Sequence, residues 1–177
     1  MAAEFIRSPG NPSGCSGKKA PMKHDDLWNF ALACYSQPGV EEACLDLQAA
    51  GGDVCLLLTC AWLECRGTAH DDARLQLLQR ISEDWRTLVV APLRTLRQAW
   101  REPAAADADL AELRKRVKAL ELDAERVQLL RLQSVTQHWS VASGSADWIG
   151  RACASLGPAT FRPIETLRAA AQLVAGD

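Results

Sequence analysis

Cysteines form the first pattern in this chain that could carry chemistry. Cys55, Cys60 and Cys65 recur every five residues within an apolar run. Thiolates bind zinc and other soft metals when several of them converge on one point. Five residues turn a helix by about 500°, or roughly 140° net, so these three thiols would point to different sides of a helix. The spacing favours small buried cysteines, and we predict no metal site.

A histidine beside two carboxylates is the second pattern. His70 precedes Asp71 and Asp72, and such a group is typical of a general base or a metal ligand. Both aspartates also stand immediately before a helical pattern, where a carboxylate caps the first backbone N–H groups. We therefore expect an aspartate to cap the helix and His70 to lie in a solvated loop.

Two glutamates on one helix face are the third pattern. Glu121 and Glu125 are four residues apart, a spacing found in di-metal helical bundles, but partner helices there supply Glu-x-x-His motifs. This sequence has no such motif. Lys118 and Arg126 are close by, so we expect surface ion pairs. The common nucleotide-binding, hydrolase and metalloprotease motifs are also missing, so we predict no catalytic residues and no cofactor, and the sequence leans against an enzyme.

Arginines provide the most specific candidate surface. Arg94, Arg97 and Arg101 fall on one helix face, and Arg80 precedes them on the same helix. Arginine forks bind carboxylates and phosphates through two hydrogen bonds, so this face is a candidate site for an acidic protein partner or another anion. RNA is an alternative, although nucleic-acid surfaces usually add wider basic area and exposed aromatics. Internal use is the other alternative, in which this basic face meets the acidic front half of the chain or is simply solvated.

A small-ligand site or an active site is a further alternative. It would be a pocket between the helices of residues 25–67 and the long helical hairpin of residues 71–139, lined by Tyr35, Trp62 and Trp85. A buried polar residue with a strongly shifted pKa in that pocket would support this interpretation.

The central element that must position these residues is the stretch from Asp53 to Gly67. It is apolar on nearly every side, Asp53 can cap its start, and Gly67 suits its end. A helix that is apolar all round lies at the centre of a fold. Two shorter helical patterns precede it, so residues 25–67 are predicted to form a compact three-helix front.

Residues 71–139 are predicted to form a long antiparallel helical hairpin. Two apolar stripes recur at steps of three and four residues, and a short linker joins them. Pro92 removes one backbone hydrogen bond, so we expect a kink near Leu88. The stripes consist of Leu75, Leu78, Ile81, Trp85, Leu88, Pro92, Leu96 and Trp100, followed by Leu110, Leu113, Val117, Leu120, Ala124 and Val127.

The remaining segments complete an all-α, single-domain helical bundle of about seven helices. Residues 146–177 are predicted to form two short closing helices, and no segment shows sustained strand alternation. Residues 1–24 are rich in Gly, Pro and Lys, and we predict a flexible extension or leader. Residues 25–177 then form the helical domain.

Composition restricts the possible partners and compartments. The net charge is −2, which gives no global bias toward nucleic acid or anionic membranes. The segment from Asp25 to Asp72 contains nine acidic residues and one arginine. The segment from Arg74 to Arg101 contains six arginines and two acidic residues. The seven cysteines are an odd number and no apolar signal segment opens the chain, so we predict a cytoplasmic protein that does not enter a membrane.

One stretch resembles a known family. The run Leu27-Trp-Asn-Phe-Ala-Leu, then Pro38-Gly-Val, Asp53-Val and Leu56-Leu-Leu is similar to the opening of a proteobacterial family of small proteins of unknown function. The segments 91–97 and 121–125 resemble two later blocks of that family, and the likeness covers about Met22 to Trp139. The resemblance implies a bacterial, soluble, helical protein and implies no activity.

Together these features predict a non-catalytic protein-interaction module that uses the basic helical face. The sequence does not distinguish a monomer from a homo-oligomer.

Overall fold

The computed structural model describes residues 26–141 and 146–176. The predicted extension 1–24 lies outside them. The described residues are helical throughout their regular structure, which confirms the all-α prediction, and they contain seven helices when the continuous helix 72–99 is taken as one. The α-helices are α1 (Leu27–Tyr35), α2 (Val40–Ala49), α3 (Val54–Cys65), α4 (Asp72–Trp85), α5 (Ala91–Ala99), α6 (Ala108–Thr136), α7 (Trp148–Ala152) and α8 (Phe161–Gly176).

Aspartate caps fix where four of these helices begin. Asp26, Asp53 and Asp71 each accept a hydrogen bond from a backbone N–H in the first turn of α1, α3 and α4, respectively. Asp107 does the same for α6. Each cap satisfies donors that would otherwise lack an intrahelical acceptor. The sequence therefore determines the start of these helices through local chemistry.

Helix α3 is the centre of the fold, as predicted. Residues 55–63 are all buried, and α1, α2, α4, α6, α7 and α8 all pack against α3. The turn that follows it contains Gly67, whose φ of 65° is in the left-handed region that favours glycine. The turn before α3 is equally restricted, because a Cβ on Gly52 would lie 2.8 Å from the Leu47 carbonyl oxygen.

A π-helical turn, Arg86–Val90, joins α4 to α5. In this turn the N–H of Ala91 donates to the carbonyl of Arg86, five residues earlier. Pro92 follows immediately and has no N–H to complete an α-helical bond to Leu88. The irregularity therefore lies where Pro92 predicts one. A π turn amounts to one extra residue inserted in an α-helix, so each residue after it takes the position that its predecessor would occupy in a regular helix.

This shift changes which side of the helix is buried. The predicted stripe is correct for Leu75 and Leu78, which are buried before the π turn. It is wrong within the turn, where Leu88 is 76% exposed and Val90 is buried instead, and after it, where Leu96 is exposed. The stripe on α6 is also partly wrong, because Leu113, Leu120 and Val127 are exposed.

The far half of the hairpin projects from the body of the protein. No residue in the described stretch 98–120 is buried. The second half of α6, where its buried residues lie, packs on α1, α3 and α4. Helix α8 packs across α1, α2 and α3. None of the described helices has the length and apolar character needed to cross a membrane.

Shortening the π turn by one residue should preserve the fold. We expect deletion of Leu88 in a Pro92→Ala background to restore a regular α-helix while the flanking residues keep their orientations. Deletion of Leu77, which is exposed in regular helix α4, should instead rotate all later residues by about 100° and unfold the hairpin. Circular dichroism and thermal melting of both variants check this. Equal loss of structure in both variants would contradict the assigned role of the π turn.

Candidate functional site

Four charged residues form a buried cluster between α5 and α6. Arg94 Nε donates to Glu121 Oε1 at 2.9 Å, and Arg94 Nη2 donates to Glu125 Oε1 at 2.6 Å. Arg97 Nε donates to Glu121 Oε2, and Arg97 Nη2 donates to Glu121 Oε1 at 3.3 Å. We call Arg94, Arg97, Glu121 and Glu125 the ion-pair cluster. It joins the two helices of the hairpin where they leave the body.

The cluster corrects two predictions from the sequence. The four arginines do not share one exposed face, because Arg97 is only 4% exposed and Arg94 is partly buried, whereas Arg80 and Arg101 are exposed. The two glutamates are not surface residues either, since Glu121 is 4% and Glu125 is 7% exposed. Both corrections follow from the π turn, which brings Arg94 and Arg97 to the inner side of their helix.

The two glutamates differ in their ionisation. Burial alone would raise the pKa of Glu121, but hydrogen bonds from Arg97 and Arg94 hold that pKa below its usual value. Burial raises the pKa of Glu125 to about 7, and its single arginine, Arg94, lowers that pKa too little to offset burial. The negative charge of Glu121 raises the pKa of Glu125 further. Glu121 is therefore ionised at neutral pH, whereas the raised pKa of Glu125 places its titration near neutral pH.

Asp53 links three helices beside the cluster. Its Oδ1 accepts from the N–H of Cys55 at 3.0 Å and of Leu56 at 3.3 Å, which caps α3. Its Oδ2 accepts from Ser82 Oγ on α4 at 2.9 Å and from Gln128 Nε2 on α6 at 2.8 Å. Both oxygens of Asp53 are thus bound within the protein.

A pocket of about 170 Å³ lies next to these residues, between the front helices and the hairpin. Its apolar wall comes from α1, α3 and α6 and from the π turn, and its polar groups come from the loop before α3, from α2 and from the hairpin. We call it the Glu125 pocket. Its lining residues are Ala31, Tyr35, Gln48, Gly51, Gly52, Asp53, Val54, Cys55, Leu58, Arg86, Val90, Arg94, Glu125, Gln128 and Leu129.

The pocket lies in the predicted place, but only one of its three predicted aromatic residues lines it. Tyr35 is part of the wall. Trp62 is 1% exposed in the core instead. Trp85 donates its Nε1–H to the Ala124 carbonyl at 2.9 Å, and its ring lies 3.8 Å from the Arg131 guanidinium carbon. Sequence reasoning missed Glu125 as a pocket residue because it placed the residue on the surface.

The histidine group and the cysteines serve the fold. Asp71 caps α4, as expected, but the His70 side chain is only 11% exposed and meets the Trp148 ring edge-on at 5.1 Å. The expectation of a solvated His70 is therefore wrong. The six described cysteines are free thiols, and burial raises the pKa of Cys34 and of Cys44 to about 12. In the described ranges, no three His, Cys, Asp or Glu residues come together as metal ligands.

Comparison with known proteins adds a family. A family model described as "Protein of unknown function (DUF2390)" matches residues 26–132, more than half of the chain. The match spans α1 to α5 and most of α6, so it includes the ion-pair cluster and every lining residue of the Glu125 pocket. No match was found among curated proteins or among solved structures.

Loss of one arginine from the ion-pair cluster should destabilise the protein strongly. Arg97→Gln leaves the buried Glu121 carboxylate with Arg94 alone, and breaking a buried ion pair costs about 3–5 kcal/mol in the free energy of unfolding. Arg101→Gln is the matched control, because Arg101 is exposed, and its effect should stay within about 0.5 kcal/mol. Urea unfolding of both variants measures the difference. Equal stabilities would show that the cluster contributes nothing.

Proposed function

The chain belongs to this family of proteins of unknown function, and we propose that it is a binding protein for a small amine, held in the Glu125 pocket. The observation that carries the proposal is a buried carboxylate, Glu125, in the wall of a concave and mostly apolar pocket. Such a combination is characteristic of small-molecule sites.

The protein-interaction and RNA functions predicted from the arginine face have less support. Arg94 and Arg97 are turned inward and paired with Glu121 and Glu125, so they are not available to an acidic partner. Of the four arginines predicted to form the face, only Arg80 and Arg101 are exposed. Two separate arginines do not form a specific surface. Both functions remain untested predictions.

The volume of the pocket restricts the size of the ligand. Most drug-sized ligands occupy pockets of about 300–1,000 Å³, and a cavity of about 150 Å³ holds a benzene-sized molecule. A pocket of about 170 Å³ therefore fits a small molecule with a short apolar body. Leu58, Val90 and Leu129 supply apolar wall for that body.

The charges around the pocket determine the polar group of the ligand. Arg86 makes two hydrogen bonds of 2.9 Å to Glu83, and Arg94 is bound by Glu121 and Glu125. Both cations in the wall are thus already paired with carboxylates. The positive end of α3 is likewise occupied by Asp53. An anionic ligand would have to displace one of these partners.

Glu125 is the group in the pocket whose charge a ligand would compensate most favourably. Its raised pKa shows that its negative charge is incompletely compensated by the protein. An ammonium group within hydrogen-bonding distance would stabilise the ionised carboxylate and lower its pKa. Binding of an amine should therefore release a proton from Glu125 near neutral pH, and the amine should bind more tightly above pH 7 than below it.

A matched pair of ligand series tests the proposal. Short alkylamines and alkylcarboxylates of equal chain length are titrated by calorimetry at pH 6 and pH 8. We expect an amine to bind more tightly at pH 8, and Glu125→Gln to weaken binding by about ten- to a hundredfold through loss of a charge-assisted hydrogen bond.

Glu112→Gln is the control, since Glu112 is exposed on the same helix and should leave binding unchanged. Carboxylates that bind more tightly at pH 6 would instead indicate an anion site at Arg94. An equal affinity of Glu125→Gln and the wild type for the amine would disprove the role of Glu125.

Glu125 should also make stability depend on pH without any ligand. The folded state holds its proton up to about pH 7, whereas the unfolded state releases it near pH 4.5, so stability falls as the pH rises between these values. Each pKa unit corresponds to about 1.4 kcal/mol. We expect the stability of Glu125→Gln relative to the wild type to rise by an amount on the order of 3 kcal/mol from pH 4.5 to pH 7, and to stay level above it. Urea unfolding at several pH values measures this, and a constant difference would contradict it.

A further inference from the structure

Helix α6 exposes a row of apolar residues that runs from the unsupported part of the hairpin to its base. Leu113 is 46%, Leu120 is 54% and Val127 is 37% exposed, and Leu130 near the end of the row is 47% exposed. The first three recur every seven residues, so they lie along one side of the helix. That side differs from the one with Glu121 and Glu125, which faces α5.

The row has the composition of a helix-packing surface. Large aliphatic residues at a seven-residue spacing, flanked by charges, are typical of helices that pair with another helix. The stretch from Leu113 to Val127 is about 21 Å long, at about 1.5 Å per residue. Since no residue in the described stretch 98–120 is buried, the body does not cover the upper part of this row.

We propose that a second copy of the chain covers it, with the two α6 helices antiparallel and a two-fold axis at Leu120. Leu113 and Val127 are each seven residues from Leu120, so the axis brings Leu113 opposite Val127 of the second copy. Leu120 then meets its own counterpart. The two hairpins together form a four-helix arrangement, in which apolar residues at the tips become buried.

The charges beside the row match this arrangement. Arg116 is four residues before Leu120 and Asp123 is three residues after it, so the axis places Arg116 opposite Asp123 of the second copy, twice in the dimer. Parallel pairing in register would instead place like charges together, which is unfavourable. Both Arg116 and Asp123 are exposed in the single chain.

Charge reversal tests the proposed symmetry. Sedimentation equilibrium over a range of protein concentrations should show a monomer–dimer equilibrium for the wild type. In Arg116→Asp, the new aspartate lies opposite Asp123 of the second copy at both places in the dimer. We expect the dissociation constant of the dimer to rise at least tenfold. Arg116→Asp combined with Asp123→Arg re-creates the opposite pairs and should return the constant to within about threefold of the wild type.

Three outcomes would overturn the proposal. One is a wild-type chain that stays monomeric at millimolar concentration. Another is a dimer that is unaffected by Arg116→Asp. The last is a double variant that is no tighter than the single one. Circular dichroism of each variant confirms that the fold is kept, because both positions are on the surface.

Cross-linking at the axis provides an independent measurement. Two cysteines form a disulfide only when their Cα atoms come within about 7 Å, so Leu120→Cys should give a covalent dimer under mild oxidation. Lys115→Cys is the control on the same helix, since Lys115 is exposed but points away from the row. Dimer formation by both variants, or by neither, contradicts the axis at Leu120.

Discussion

The π turn before Pro92 is the constraint on which the hairpin depends. A proline inside a helix cannot donate to the carbonyl four residues earlier, and its ring crowds that carbonyl. In this chain the turn Arg86–Val90 accommodates the proline by including one additional residue. The helix then continues with Arg94 and Arg97 on its inner side, where Glu121 and Glu125 of α6 meet them. Without the additional residue, Leu93 and Leu96 would take the positions that Arg94 and Arg97 occupy.

The burial of these charges explains why one carboxyl differs from the other. Taking two carboxylates out of water is favourable only when hydrogen bonds from cations compensate for the lost hydration. Glu121 receives bonds from both arginines, and its pKa is lowered. Glu125 receives one bond from Arg94, next to the negative charge of Glu121, and its pKa is raised. The cluster therefore stabilises the hairpin through Glu121 and leaves Glu125 with charge that a ligand can compensate.

The fold was largely predictable from local chemistry, whereas the site was not. The caps at Asp53 and Asp71 and the wholly apolar α3 follow from residues adjacent in sequence, and they are correct. The prediction of an exposed arginine face is wrong because one inserted residue in the π turn rotates the residues after it by about 100°, whereas hydrophobic periodicity assumes an uninterrupted repeat. One clue was present, however. Arg94 and Glu125, like Arg97 and Glu121, lie at nearly equal distances in sequence on either side of Asp109, so an antiparallel hairpin that turns just before this residue brings each pair together.

The apolar stripe of α6 shows a different limit of the same method. A helical period identifies which residues avoid water, but it does not identify the surface that covers them. Near the base of α6, Gln128 and Leu129 face the pocket, whereas Val127 and Leu130 in the same turn are exposed. One turn of helix thus contributes to the Glu125 pocket on one side and to the proposed dimer surface on the other. Because both surfaces are fixed to the same turn, a ligand changes the pairing of the two hairpins only by the difference in its affinity for the single and the paired chain.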